Sequence, residues 1–195
     1  MKRLFDCIAC FGGLFLFFPL LVIFVVLLLF YSGFPIFFRQ QRVGQNGCLF
    51  TLLKFRTMTV QPGAEKGSFE VGSTQRVTAV GRFLRKTKLD ELPQLWNVLI
   101  GDMSLVGPRP EVRKWVEAYP ERWAFVHTVR PGITDPASIK FRNEEKLLAR
   151  SPDPERTYRD EILPQKLALY EEYVRTRSFC GDIKLIFATI VALFK

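Results

Sequence analysis

The chain has one histidine, His127, in 195 residues. That excludes a poly-histidine metal centre and makes a Ser–His triad a poor expectation; His127 reads as a surface or packing residue. Cysteine is scarce as well, with four. Cys7 and Cys10 have C-x-x-C spacing but lie in an apolar run with no strand before them. They read as small hydrophobes rather than a redox pair. Cys48 and Cys180 stand alone, so nothing demands an oxidising compartment. Zinc-finger spacing, a ribonucleoprotein motif, internal repeats and low-complexity tracts are all missing. Acidic residues are outnumbered, 19 against 28 basic, for a net charge of +9. With 48% hydrophobic residues, this suits a basic protein held against an anionic membrane or an anionic substrate. Nucleic acid is the weaker reading.

The longest absence is of charge. From Cys7 to Phe38 no side chain is ionised, about 32 residues against the roughly 20 that cross a bilayer. A secretory signal would be shorter and followed by a small-residue cleavage site. Lys2 and Arg3 precede the run, and Arg39, Arg42, Lys54 and Arg56 follow it. Positive residues favour the cytoplasmic side, so both flanks favour the same side. Gly12 and Gly13 loosen the start, and Pro19 interrupts the middle. Two readings stand: a re-entrant helical hairpin bent near Phe18-Pro19, or a kinked single span.

What is there beyond the run is mixed α and β. Pro35–Val43 and Cys48–Met58 flank Gly44-Gln45-Asn46-Gly47, a β-hairpin pattern with an Asn-Gly turn. Lys54 and Arg56 alternate with Phe55 and form a basic face, solvated or turned to phosphate. Thr59 to Gln75 is polar and Gly-rich, a loop long enough to be lid-like. A helix is expected from Arg76 through Leu84, with Arg82, Arg85, Lys86 and Lys88 near its end.

Asp90 and Glu91 come next, just ahead of Pro93, in Leu89-Asp90-Glu91-Leu92-Pro93-Gln94-Leu95-Trp96-Asn97. Leu92, Leu95, Trp96 and Leu99 recur at helical spacing and are expected on one buried face. The plain reading of the two carboxylates is capping of that helix. The sharper one is phosphate chemistry: carboxylates ligate Mg²⁺ and can act as nucleophiles toward phosphorus. The basic cluster before them is expected to depress both pKa values and could hold a pyrophosphate. Gly101–Glu111 and Val129–Pro136 read as two rigid turns, with Arg109 between Pro108 and Pro110 and Arg130 before Pro131. Each arginine is a candidate phosphate clamp. Asn143–Ala149 is expected as a short helix, and Glu155–Arg177 as a helix kinked or divided at Pro164. The segment from Asp182 onward is too short to span and reads as buried or interfacial.

The ordered series KFRTM, VGRFLRKTKLDELPQLWNVLIGDMSLVGPRPE and VRPGIT, behind an apolar N-terminus with a central proline, resembles the bacterial sugar transferase family of small monotopic phosphoglycosyl transferases. SFCGDIKLI is a weaker match. The resemblance implies transfer of a sugar phosphate from a UDP-sugar to polyprenyl phosphate at the cytoplasmic face of the bacterial inner membrane, with UMP released. It implies Asp90 as nucleophile, Glu91 as its partner, and Mg²⁺ as cofactor. Asp90, Glu91 and, more weakly, Asp182 are then metal-ligand candidates, and Arg85, Arg109 and Arg130 substrate-phosphate candidates. Splitting the transfer through an aspartyl intermediate implies ping-pong kinetics.

The expected fold is α+β, mostly helical around a small sheet. Residues 1–38 form the membrane hairpin, with Pro19 at the bend, and 39–195 the cytoplasmic catalytic domain with an interfacial C-terminal helix. The resemblance is to a catalytic core without the extra transmembrane helices of larger relatives. Expected partners are the UDP-sugar, polyprenyl phosphate, the phospholipid membrane and downstream glycosyltransferases; a homodimer stays open. Two departures stand out. Phe18 replaces the usual Ser before the bend proline, and Asp135-Pro136-Ala137-Ser138 replaces Gly-Leu-x-Gln after VRPGIT, so sugar specificity is not carried across. The rival readings are a catalytically silent membrane scaffold of a glycan assembly complex and a metal-dependent nucleotide-sugar hydrolase.

Overall fold

The computed structural model describes residues 1–60 and 76–193. The lid-like reading of Thr59–Gln75 therefore falls almost wholly outside the described residues. The protein is mostly helical with two small sheets, as the sequence implies.

Helix α1 (Lys2–Ser32) is one continuous helix of 31 residues with Pro19 inside it. A helix of that length is about 46 Å long. One proline removes a single backbone hydrogen bond, which does not by itself divide a helix. The expected two-helix hairpin is therefore one helix here. Both ends of α1 nevertheless pack on the same body. Near the start, Lys2 Nζ donates to the Val106 carbonyl at 2.9 Å, and Arg3 donates to the carbonyls of Val98 and Leu99. Near the end, Arg56 donates to the carbonyls of Ser32 and Gly33. Between them Phe11, Phe15, Leu16, Phe18, Val22 and Ile23 are exposed.

Strands β1 (Phe37–Val43) and β2 (Leu49–Phe55) form the expected antiparallel hairpin, paired from Phe37↔Phe55 to Val43↔Leu49. Asn46 and Gly47 take the positive φ values that the turn requires. Helix α2 (Ala79–Thr87) starts three residues later than Arg76, because Thr78 caps it by accepting from Gly81 N–H. Its apolar side, with Leu84, packs on Phe24, Leu28 and Phe55.

A 3₁₀ turn (Leu89–Glu91) and helix α3 (Gln94–Ile100) follow. The expected buried face is corrected here. Gln94, Asn97 and Val98 are buried, while Trp96 is 53% exposed. Between Lys88 and Trp96 successive backbone bonds run i→i−3, from Glu91 to Lys88, Leu92 to Leu89, Leu95 to Leu92 and Trp96 to Pro93. Three residues per turn put Glu91, Gln94 and Asn97 in line. Asn97 then hydrogen-bonds the β2 backbone at Leu53 N and Thr51 O.

The two rigid turns expected around Arg109 and Arg130 are in part a sheet. Strand β3 (Ser104–Val106) pairs in parallel with β4 (Gly132–Thr134). The backbones pass so closely that a Cβ at Gly132 would lie 2.1 Å from Gly107 N, and one at Gly107 2.4 Å from the Arg130 carbonyl. Only glycine fits at either position.

The rest is a helical layer of α4 (Arg113–Glu117), α5 (Pro120–Val126), α6 (Pro136–Lys140), α7 (Glu144–Leu148), α8 (Pro154–Thr157) and α9 (Leu163–Thr176). Trp115, Trp123, Leu163, Leu167 and Tyr170 form its core. The division expected at Pro164 is a π turn over Tyr158–Ile162, after which Pro164 sits in the first turn of α9. Helix α10 (Phe179–Leu193) begins before Asp182 and exposes Phe187, Ile190 and Val191.

Candidate active site

Lys88 ends α2 in the left-handed conformation, with φ 58°. That reversal sends the chain into the 3₁₀ turn and drives both following carboxylates inward. Asp90 is 7% exposed and Glu91 8%. Capping does not explain Asp90, because no side-chain cap hydrogen bond is made at the start of the 3₁₀ turn or of α3. Its Oδ1 is buried with no hydrogen-bond partner. Glu91 is fully engaged. Its Oε1 accepts from Lys54 Nζ at 2.8 Å and from Arg109, and its Oε2 lies 3.4 Å from Arg109 Nη1. The hairpin supplies Lys54 from β2, and the Pro-bounded turn supplies Arg109.

The two carboxylates are pulled apart electrostatically. Burial alone would raise Glu91, but Arg109 and then Lys54 outweigh it and hold Glu91 well below the usual carboxylate range. Burial raises Asp90 instead, against the opposing pull of Lys54, and the charge on Glu91 adds to the rise. The expectation that both are depressed holds for Glu91 and fails for Asp90, because only Glu91 touches the cations. Lys54 is itself lowered by burial, with Glu91 opposing.

A second buried cluster fixes the Arg109 turn. Glu111 accepts from Tyr158 OH, lies 3.2 Å from Arg42 Nη1 and 3.6 Å from Lys166 Nζ. Arg42 Nη1 also donates to the Pro110 carbonyl at 3.1 Å. Arg109 therefore projects from a turn held on both sides.

The other candidates separate. Arg85 lies half-buried in the last turn of α2, just ahead of the dyad. Arg130 is exposed, and its Nε donates to the Gly101 carbonyl at 2.9 Å; the structure does not bring it to Glu91. Asp182 is paired with Lys2 and accepts from Tyr173 OH at 2.8 Å. It does not join the dyad as a third metal ligand. Its role is to tie the starts of α1 and α10 together, and among the described residues no group of three or more His, Cys, Asp or Glu is placed to hold an ion. His127 is a packing residue, stacked 5.0 Å from Trp123.

Sequence reasoning left Lys54 on a generic basic face and did not single out Gln94. Its only signal for Lys54 was the strand alternation. The donor set suits Mg²⁺ in one way. Asp90 Oδ1 is an open oxygen ligand, and the flanking cations match a diphosphate. Mg²⁺ is commonly bound by one or two carboxylates together with substrate phosphates and water.

Residues 1–195 match the bacterial sugar transferase family. The chain is 35% identical over 207 residues to the exopolysaccharide production protein ExoY of Rhizobium meliloti, covering 98% of this chain and 84% of that protein. It is 35% identical over 196 residues to a UDP-glucose:undecaprenyl-phosphate glucose-1-phosphate transferase of Caulobacter vibrioides, covering 98% and 69%. A protein of the same name from Klebsiella pneumoniae is 38% identical over 193 residues, which cover 97% of this chain and 39% of that protein.

Proposed function

The chain belongs to the bacterial sugar transferase family and is an enzyme of the sugar phosphotransferase class, and from that premise we propose that it transfers a sugar 1-phosphate from a UDP-sugar to polyprenyl phosphate. The observation that carries this reading is the buried, unpartnered Oδ1 of Asp90 beside the Lys54–Glu91–Arg109 cluster. An unsatisfied buried carboxylate oxygen costs stability, which a silent scaffold would have no reason to retain.

In the proposed mechanism Asp90 attacks the β-phosphorus. An Asp90 O–P bond forms, the bond from that phosphorus to the bridging oxygen breaks, and UMP leaves. A phosphate oxygen of the lipid then attacks the same phosphorus, the Asp90 O–P bond breaks, and polyprenyl diphosphate sugar departs. Lys54 and Arg109, preplaced by Glu91, stabilise charge on the phosphoryl oxygens. The Asp90 carboxylate, together with the substrate phosphates, would hold a Mg²⁺, which would neutralise diphosphate charge as a Lewis acid.

For the membrane, the proposal is that α1, with both ends on the cytoplasmic side, seats its exposed apolar residues in the cytoplasmic leaflet of the inner membrane, with α10 lying at the interface. Basic flanks on both sides of the apolar run support it, as do the anchors at both ends of α1. At 15 residues α10 is about 22 Å long, too short to span.

The test is a panel of radiolabelled UDP-hexoses and UDP-N-acetylhexosamines incubated with polyprenyl phosphate and Mg²⁺. Label moving into the organic phase supports the reading. Free sugar phosphate without lipid product would make the protein a nucleotide-sugar hydrolase.

A further inference from the structure

Gln94 is 2% exposed, and its Nε2 is buried with no hydrogen-bond partner. It stands three residues after Glu91 and in line with it, in a segment whose backbone bonds run i→i−3. Its companions at three-residue spacing are both occupied on β2. Glu91 holds Lys54, and Asn97 holds the backbone of Leu53 and Thr51. Gln94, between them, holds nothing. A buried amide N–H left without an acceptor is unfavourable by roughly 1–3 kcal/mol. One turn earlier in the chain, the Asp90 Oδ1 is also buried without a partner. A buried donor and a buried acceptor, both unfilled on the segment that carries Asp90 and Glu91, mark it as a place for a ligand.

We infer that Gln94 is a further catalytic residue, whose Nε2 donates a hydrogen bond to a non-bridging oxygen of the phosphoryl group while Asp90 attacks its phosphorus. The inference rests on the proposed nucleophilic role of Asp90. The ligand chemistry follows from the atoms. Phosphoryl oxygens are acceptors, the amide is a neutral donor, and phosphorus is the electrophile that a carboxylate takes. As the Asp90 O–P bond forms and the bond to UMP breaks, charge spreads over the phosphoryl oxygens. A fixed donor there acts more strongly on the transition state than on the bound substrate. Lys54 and Arg109 give part of their donor capacity to Glu91, whereas Gln94 Nε2 gives none of its own to protein.

The experiment uses the full chain in membranes and compares wild type, Gln94→Met and Gln94→Glu. The probe is the UDP-sugar that wild type turns over fastest, mixed with Mg²⁺ and without polyprenyl phosphate, in a quenched-flow burst of UMP. The burst amplitude counts folded, competent enzyme, and its rate constant reports the chemical step. Gln94→Met keeps the volume and removes the donor. The expected result is an amplitude within about twofold of wild type, a rate constant lower by about 10- to 100-fold, and a KM for UDP-sugar changed less than about threefold. Gln94→Glu, which sets a negative charge against the phosphoryl oxygens, should be slower still. A Gln94→Met rate constant equal to wild type, whether or not amplitude falls, would overturn the inference and make Gln94 a packing residue. Asp90→Asn retaining a burst would instead sink the nucleophile assignment. If wild type shows no burst, the two-step reading fails, and kcat per folded enzyme for lipid transfer decides Gln94 by the same criterion.

Discussion

Lys54 Nζ stands 2.8 Å from Glu91 Oε1, so the returning strand of the hairpin and the turn bearing the dyad meet through a part-buried ion pair. Glu91 shares the same oxygen with Arg109. The adjacent carboxylates thus divide their work: Glu91 fixes two cations, and Asp90 is left with an open oxygen beside them.

That division gives a pH signature. Asp90 is raised by burial and pulled down by Lys54, and the ionised form is the proposed nucleophile. Lys54→Met removes a charge that favours ionisation, so Asp90 should need a higher pH to lose its proton. At fixed Mg²⁺, the acid limb of kcat/KM for UDP-sugar should move to higher pH. An unmoved limb would show that Lys54 does not act on Asp90.

The hairpin was legible because Asn46-Gly47 is a local signal with one geometric meaning. The dyad was legible as a motif, but its surroundings were not. Lys54 reaches Glu91 across 37 residues, and no spacing rule encodes that contact. Trp96 was misassigned because the chain runs at three residues per turn through Leu89–Trp96, which shifts the buried stripe onto Glu91, Gln94 and Asn97. The β3–β4 pairing was invisible because three-residue strands carry no periodicity. The partner of Asp182 is Lys2, 180 residues away, and no local pattern encodes that pairing.

Asp182 tests the corrected site. Its carboxylate is buried against Lys2 and Tyr173. Asp182→Asn should lower stability by about 1–3 kcal/mol, seen as a reduced thermal midpoint. The Mg²⁺ concentration for half-maximal transfer should stay the same. A several-fold rise in that concentration would return Asp182 to the metal site.

Topology can be read by labelling. Leu4 and Val60 are both exposed and lie on opposite sides of the apolar run. In a cysteine-free background, Leu4→Cys and Val60→Cys should each resist an impermeant maleimide in intact spheroplasts and react once the membrane is opened. Labelling of Leu4→Cys alone from outside would establish a single span.

His127 should govern acid sensitivity of the fold. Burial lowers its pKa from 6.5 to about 4, so the unfolded chain takes up a proton that the folded one refuses. Its contribution is fully present above pH 6.5 and is lost as pH falls toward 4. His127→Gln should flatten the stability profile across that window in denaturant titrations. An unchanged slope would mean that His127 titrates normally.

The central claim is the aspartyl intermediate, and trapping it is the most direct measurement. Wild type is incubated with its UDP-sugar and Mg²⁺ without lipid, quenched and digested. Mass spectrometry should find up to one sugar phosphate per enzyme, on the peptide carrying Asp90, with an equal amount of UMP released. Asp90→Asn should show neither while still folding in the membrane. UMP that appears only after polyprenyl phosphate is added, with no adduct on Asp90, would contradict the two-step mechanism.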